Sequence, residues 1–293
     1  MRTFTLILFA ISVMSGQTSK DVAALNAKID SVVSAHSGKY AIAFKDLGST
    51  MCLYRNEHES FHAASTMKTP VMIEVFTQAA LKKLSLQDSV SITNSFKSII
   101  DGSEYSLSFT DDSDDGIYHQ IGEKATINHL LFKMITVSSN LATNILIERV
   151  GPENVMKTMR GMNLKDIQVL RGVEDSKAFD AGKNNTTTAY DLAVIFEAIA
   201  RKTIISKEAC NSMLDILKAQ EFNDMIPAKL PKEVIVAHKT GSITNVQHDS
   251  GIIYLPDGRS YILVVLSKEL HSNADGIACI ADVSKIFYDY LVK

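Results

Sequence analysis

Phe61-His62-Ala63-Ala64-Ser65-Thr66-Met67-Lys68-Thr69-Pro70 runs straight into an apolar, helix-favouring stretch over residues 71–84. Ser65 and Lys68 stand three residues apart, nearly one helical turn, so their side chains leave the same face. The spacing predicts a helix over residues 65–83 with Ser65 in its first turn. There backbone N–H groups lack intrahelical partners and the macrodipole favours negative charge. A lysine amine with a lowered pKa takes a serine's proton and makes it a nucleophile. Ser-x-x-Lys alone is common, and it describes equally well a helix start with an exposed lysine. The rest of the chain separates the two readings.

Upstream, Tyr40-Ala41-Ile42-Ala43-Phe44 and Met51-Cys52-Leu53-Tyr54 read as two strands joined by the turn Asp46-Leu47-Gly48-Ser49. Before them, Val22, Leu25, Ile29, Val32 and Val33 have helical spacing over residues 20–34. Arg2, the apolar residues 4–14 and Ser15-Gly16 have the form of a secretory signal over residues 1–17. That run is too short to span a bilayer, and no cysteine follows it to carry a lipid. A periplasmic or secreted product without a membrane anchor is expected.

Downstream, residues 87–124 are polar and irregular around Asp111-Asp112-Ser113-Asp114-Asp115-Gly116. Aligned as a calcium loop, this run has Gly122 where the bidentate Glu belongs, so it reads as a solvated loop. Helices are predicted over residues 126–136, 140–150, 153–162, 189–202 and 206–220. Gly151-Pro152 stops one helix and starts the next, and Thr186-Thr187-Thr188 caps another. The C-terminal part reads as strands at 234–238, 250–254 and 260–267, then a helix over 274–291. Leu255-Pro256-Asp257-Gly258 is the turn between the last two strands.

Strands thus lie at both ends of the chain and helices fill the middle. The fold class expected is α/β in the α+β sense, an antiparallel sheet flanked by terminal helices with an inserted all-α lobe. Residues 18–61 and 206–293 would form the α/β lobe and residues 62–205 the all-α lobe. Composition is that of an ordinary globular protein, at 46% apolar and 22% charged residues. The net charge of −3 offers no basic field for nucleic acid, so no nucleic-acid partner is expected. Cys52, Cys210 and Cys279 allow one disulfide at most, with Cys52–Cys279 an open possibility beside three packing thiols.

Two further motifs follow Ser65 in order. Ser138-Ser139-Asn140 falls between two predicted helices, and Lys239-Thr240-Gly241 ends a predicted strand. Each alone is weak: the serines are also helix-capping residues, Lys239 a plausible surface lysine and Gly241 a turn residue. In conjunction with Ser65 and Lys68, the set resembles the penicillin-recognising serine hydrolases, and specifically class A β-lactamases. The resemblance extends over essentially the whole mature chain, including Gly151-Pro152, Arg171 and the Thr186–Thr188 cap.

The resemblance implies an acyl-transfer site and a two-lobed fold of the β-lactamase/transpeptidase type. Ser65 would be the nucleophile and Lys68 its base or proton relay. Ser138 would pass a proton to the lactam nitrogen under the influence of Lys239. Asn140 would hold a substrate amide and Lys68, while Lys239 and Thr240 would receive the substrate carboxylate. Backbone N–H groups of Ser65 and Ser242 would form the oxyanion hole, with Gly241 permitting close approach of substrate to the strand. The implied partner is a small-molecule β-lactam acting on a monomer, with no cofactor and no metal. His58 and His62 lack a third ligand, and His248-Asp249 reads as structural or as rim hydrogen bonding. Tyr118 and Ser113 are candidates for the cleft rim.

Two departures from the family pattern stand out, one in the second motif and one in the loop after Arg171. Ser139 stands where class A enzymes carry an aspartate that braces the helical lobe. In the loop Arg171-Gly172-Val173-Glu174-Asp175-Ser176-Lys177, strict register puts Val173 at the position of the deacylating glutamate, and Asn185 replaces an aspartate that often pairs with the arginine. Glu174 is the candidate deacylation base and Asp175 the reserve. If neither serves, a slowly deacylating penicillin-binding DD-peptidase-like enzyme is the alternative. A non-catalytic β-lactam or cell-wall sensor is the other, although a pure binder needs no proton relay.

Overall fold

The computed structural model describes the backbone of residues 11–292 and the side chains of residues 21–292, so residues 1–10, most of the expected leader, lie outside the described residues. The central sheet has five strands, β1 (Lys39–Asp46), β2 (Cys52–Arg55), β3 (Ile235–Ile243), β4 (Val246–Tyr254) and β5 (Ser260–Lys268). Their order is β2-β1-β5-β4-β3, with every neighbouring pair antiparallel. First and last parts of the chain meet where β1 pairs with β5.

β5 shows why the sequence runs apolar without interruption here. Tyr261, Leu263 and Val265 point into one core and Ile262, Val264 and Leu266 into another, the period-two alternation of a strand covered on both faces. The first core is closed by α1 (Ile11–Ala35) and the C-terminal helix α9 (Asn273–Leu291), through Leu25, Ile29, Cys279 and Phe287. Each such aliphatic or aromatic side chain contributes about 1.5–3 kcal/mol by leaving water.

The other core is continuous with the helical region. Its elements are α2 (Lys68–Ala80), α3 (Ile127–Thr136), α4 (Asn140–Val150), α5 (Pro152–Gly161), α6 (Ser176–Asp180), α7 (Ala189–Ala200) and α8 (Lys207–Lys218). α7 lies directly against β1, β4 and β5. Thr126, Ser139, Asp175, Thr188, Ser206 and Ser272 each accept a backbone N–H at a helix start, which is why polar residues stand just before these apolar runs.

Three expectations need correction. β3 extends beyond residue 238 to Ile243, because Asn245 at φ +60° turns the chain into β4 as a hairpin. Lys239-Thr240-Gly241 therefore lies inside an edge strand, with Ser242 and Ile243 continuing it, and does not end it. All three cysteines are free: Cys52 is exposed on the outer strand β2, whereas Cys279 is buried in the α9 core, which excludes a bridge between them. The acidic run is not uniformly solvated. Asp111 and Asp115 are exposed, but Asp112 turns toward α4, and Asp114 is buried and ion-paired with Lys133 at 3.3 Å.

Candidate active site

Ser65 sits in a 3₁₀ turn, Ala64–Met67, that leads into α2. Three residues per turn eclipse Ser65 and Lys68 more closely than an α-helix would. Ser65 is half-buried and lines a cleft, and Lys68, three residues on, is wholly buried. Ala64 enters the turn at φ +45°, a conformation that costs about 1–3 kcal/mol and needs support from its surroundings. That support is visible: Ala64 N–H donates to His62 Nδ1 at 3.0 Å, Thr66 Oγ1 donates to Ala63 O at 2.6 Å, and Ala63 N–H donates to Asn185 O at 2.8 Å.

The free edge of β3 packs along this turn. A methyl group on Gly241 would lie 3.2 Å from Thr66 Cγ2 and 3.3 Å from both Ala64 Cβ and Ser65 N. The lack of a side chain there thus serves contact with the nucleophile's own turn. Ser242, the next residue, faces the cleft, and its Oγ accepts from Gln247 Nε2 at 2.7 Å.

Lys68 Nζ donates to Ser138 O at 2.6 Å, Ser138 Oγ at 3.1 Å and Asn140 Oδ1 at 2.9 Å. Lys239 Nζ donates to the same Ser138 Oγ at 3.0 Å and to Thr240 O at 3.0 Å. Ser138 joins α3 to α4 at φ +58°, a turn that presents both its carbonyl and its hydroxyl to the lysines. Burial pulls the Lys68 amine down to about 7, against the opposing fields of Asp112 and Glu174. Burial, and then the Lys68 charge, push Lys239 well below the ordinary lysine range, while Asp249 pulls the other way.

The loop from Arg171 is fastened before it reaches the cleft. Asn144 on α4 accepts from Val173 N–H at 2.7 Å and donates to Val173 O at 3.0 Å, and Tyr105 adds a bond to that carbonyl at 3.3 Å. Gly172 must be small, since a methyl group there would stand 2.4 Å from Asn144 Oδ1. Val173 is thereby held by its backbone. Glu174, at φ +62°, turns its carboxylate inward, where Oε1 accepts from Asn140 Nδ2 at 2.8 Å. Burial raises the pKa of Glu174, with the Asn140 hydrogen bond opposing.

Asp175 is otherwise engaged. Its carboxylate accepts from Ser98 Oγ at 2.9 Å, Ile99 N–H at 3.0 Å and, as the cap of α6, Ala178 N–H at 3.1 Å. Asn185 accepts from the backbone N–H groups of Leu170 and Arg171 and donates to Arg171 O at 2.9 Å. The Arg171 guanidinium meets Asn184 and the carbonyls of Lys183 and Gly172, so neutral groups close the neck of this loop.

Two branches of the cleft share Ser65, Asn140 and Ser242. One, of about 540 Å³, is bordered by Glu174, His62, Phe179 and Ile243. The other, of about 310 Å³, is bordered by Ser138, Thr240, Ser113 and Phe222. Tyr118 stands behind the rim, donating to Asp112 Oδ2 at 3.0 Å. His58 pairs with Asp166 at 3.5 Å away from this cleft, and His248 is buried, bonded to Gln247 O, His62 O and Ser267 N–H and pulled down to about 4 by burial. No three His, Cys, Asp or Glu side chains form a metal-ligand group among the described residues. Sequence reasoning passed over Asp112, Asn144 and Phe179. Nothing in the local sequence signals them, because each acts on a residue at least 28 positions away or on the cleft surface.

The order of the three motifs converging on one hydroxyl agrees with a comparison of whole chains. The family model described as Beta-lactamase enzyme family matches residues 24–291. The chain belongs to this family. Among individual relatives, Beta-lactamase VEB-1 of Pseudomonas aeruginosa is 24% identical over 299 residues, covering 98% of this chain and 95% of that protein. Extended-spectrum beta-lactamase PER-1 of the same organism is 26% identical, with 98% and 93% covered. The solved structure of PBP-A superposes with a TM-score of 0.78 at 26% identity, covering 92% of this chain and 96% of that one. A beta-lactamase from Chitinophaga pinensis shares the fold at a TM-score of 0.82 and 24% identity, with 91% and 99% covered.

Proposed function

We propose that this member of the family is a serine hydrolase that opens β-lactam rings through an acyl-enzyme on Ser65. The observation that carries the reading is the single hydroxyl of Ser138 bonded to both buried lysines beside a half-buried serine. Neutral Lys68 takes the Ser65 proton as Oγ attacks the lactam carbonyl. The backbone N–H groups of Ser65 and Ser242 receive the oxyanion. As the C–N bond breaks, Ser138 gives its proton to the nitrogen and regains one from Lys68. Lys239 and Thr240 receive the substrate carboxylate, and Asn140 its amide. In the second half, Glu174 takes a proton from water as the water attacks the ester, and the C–O bond to Ser65 breaks as Glu174 gives that proton up to the leaving Ser65 Oγ.

A slower second half has its own support. The clamped backbone position next to Asn144 belongs to Val173, and Glu174 reaches the cleft only through a left-handed turn. PBP-A, the similar solved protein, has also been solved as a mutant in an acyl-enzyme complex with penicillin G. A penicillin-binding, slowly deacylating enzyme is therefore the second reading.

The functional division we infer is residues 18–61 with 206–293 against residues 62–205, because the cleft runs between β3 and the segments carrying Ser138 and Glu174. Action as a monomer is part of the same proposal. The leader-like residues 1–17 support export to the periplasm or medium, and thus a role in antibiotic resistance, while no described helix is long and apolar enough to cross a membrane. Ser65→Ala tests the acylation step: the variant should take up no covalent adduct from a penicillin, and labelling elsewhere on the chain would overturn it.

A further inference from the structure

Among the described residues, Asn140 is the one side chain that bonds to both Lys68 and Glu174, accepting from Lys68 Nζ at 2.9 Å and donating to Glu174 Oε1 at 2.8 Å. Its position depends on the start of α4, where helix geometry leaves backbone N–H groups without partners. Ser139 Oγ satisfies Ala142 N–H at 3.3 Å, and Ser139 O satisfies Thr143 N–H at 3.2 Å. The N–H groups of Asn140 and Leu141 are not reached from within the motif. Both are taken by Asp112, whose oxygens lie 2.9 Å from Asn140 N and 2.9 Å from Leu141 N.

The carboxylate of Asp112 is itself fixed. Tyr118 OH donates to Oδ2 at 3.0 Å and Asp114 N–H to Oδ1 at 3.1 Å. The tyrosine hydroxyl is in turn held in its protonated form by burial and by the adjacent Asp112 charge. Four donors converge on one carboxylate at a helix N-terminus, where negative charge is favoured. The same charge acts on the buried Lys68 amine, which faces Asp112 and Glu174 with Lys239 across the shared hydroxyl.

We propose that Asp112 is a positioning residue of the reaction, pinning the Asn140 backbone so that its carboxamide spans Lys68 and Glu174, and supplying the negative charge that Ser139 cannot supply within its own motif. The proposal rests on the acyl-enzyme reading of Ser65. Asp112 lines neither branch of the cleft; it acts through Asn140 and through its field on Lys68. Removing it should loosen the Asn140 bridge, and a misplacement of about 1 Å at such a site costs about 10²-fold in rate.

The test compares wild type, Asp112→Asn and Asp112→Ala by thermal unfolding, by acylation and deacylation rates with a penicillin, and by NMR titration of isotope-labelled lysine side chains assigned through Lys68→Met. Asp112→Asn keeps the shape and one acceptor oxygen but lacks the charge, so it carries the test should Asp112→Ala fail to fold. In Asp112→Asn the Lys68 midpoint should fall below its wild-type value, moving the acidic limb of acylation to lower pH. In Asp112→Ala both rates should drop by about 10²-fold. A Lys68 midpoint and rates unchanged in a folded Asp112→Asn would overturn the proposal. Absence of any adduct on wild type would instead overturn the acyl-enzyme reading, and the lysine titration, which needs no substrate, still decides whether Asp112 controls Lys68.

Discussion

Lys68 and Lys239 donate hydrogen bonds to one oxygen, the hydroxyl of Ser138, at 3.1 and 3.0 Å. Both amines are wholly buried, so two full positive charges at this separation would repel strongly with little water to screen them. Burial lowers both amines, Lys239 also through the Lys68 charge, and Lys68, near 7, is the amine three residues along the chain from Ser65. Acylation should therefore rise with pH through about 7. Lys239→Ala should lower acylation by weakening the carboxylate shelf, while the limb, set by the burial of Lys68 against Asp112 and Glu174, should stay in place. Stopped-flow acylation across pH checks both; a limb that moves would tie Lys239 to the titration of Lys68.

The same burial sets a stability slope. In the unfolded chain Lys68 keeps its proton up to about 10.4, but in the folded chain only up to about 7. Between those values the unfolded state binds more protons, so stability rises with pH across that window and is lost again as pH falls toward 7. Lys239, displaced in the same direction, steepens the slope. Denaturant unfolding at several pH values above 7 should show this rise in wild type and a flatter line in Lys68→Met. Equal slopes would contradict the buried, easily deprotonated state of Lys68.

Glu174 and Asp175 are adjacent carboxylates with opposite surroundings. Glu174→Gln keeps the hydrogen bond from Asn140 but removes the base, so acylation should persist while deacylation falls by about 10²–10⁴-fold. Because Glu174 is raised by burial, wild-type deacylation should fail on its acid side above the ordinary glutamate range. Single-turnover kinetics with mass detection reads both rates.

Asp175→Ala should give the reverse pattern. Loss of the α6 cap and of the bonds to Ser98 and Ile99 should cost about 1–3 kcal/mol of stability. Acylation of Ser65 should be nearly unchanged. A folded, fully stable Asp175→Ala variant that acylates but cannot deacylate would transfer the base role from Glu174 to Asp175.

Much of the fold was legible because periodicity and caps agree over long stretches. The α4 and α5 boundaries follow from Gly151-Pro152, and the terminal strands from apolar runs and the Pro256-Asp257-Gly258 turn. The three motifs also survive as local signals, since each is a few adjacent residues. What local sequence does not carry is partnership across distance. Asp112 looked like one acidic residue in a solvated run, yet its partners are amides 28 and 29 residues away. Asn144 looked like a polar residue inside a helix, yet it clamps Val173. β3 was read too short because the turn at Asn245 is a weak signal beside the stronger Lys239-Thr240-Gly241 pattern.

Gly241 tests how closely β3 must approach the nucleophile. In Gly241→Ala the new methyl would press on Thr66, Ala64 and Ser65 N at 3.2–3.3 Å, forcing the edge strand or the 3₁₀ turn to move by a few tenths of an ångström. Stability should fall by about 1–3 kcal/mol, as for a modest overpacking. Acylation should fall by about tenfold or more, because Ser65 N and Ser242 lie on the two sides of that contact. Unfolding and acylation measured on one preparation check the pair; unchanged acylation would place the oxyanion-binding groups elsewhere.

The central claim, that a carboxylate in the cleft releases the acyl group from Ser65, is tested most directly by mixing the purified chain with a chromogenic cephalosporin and following colour and intact mass together. A working deacylation base gives sustained colour with an adduct that appears and disappears. A single equivalent of colour with a persistent adduct would contradict it, leaving Ser65 as an acylating serine without a working deacylation base.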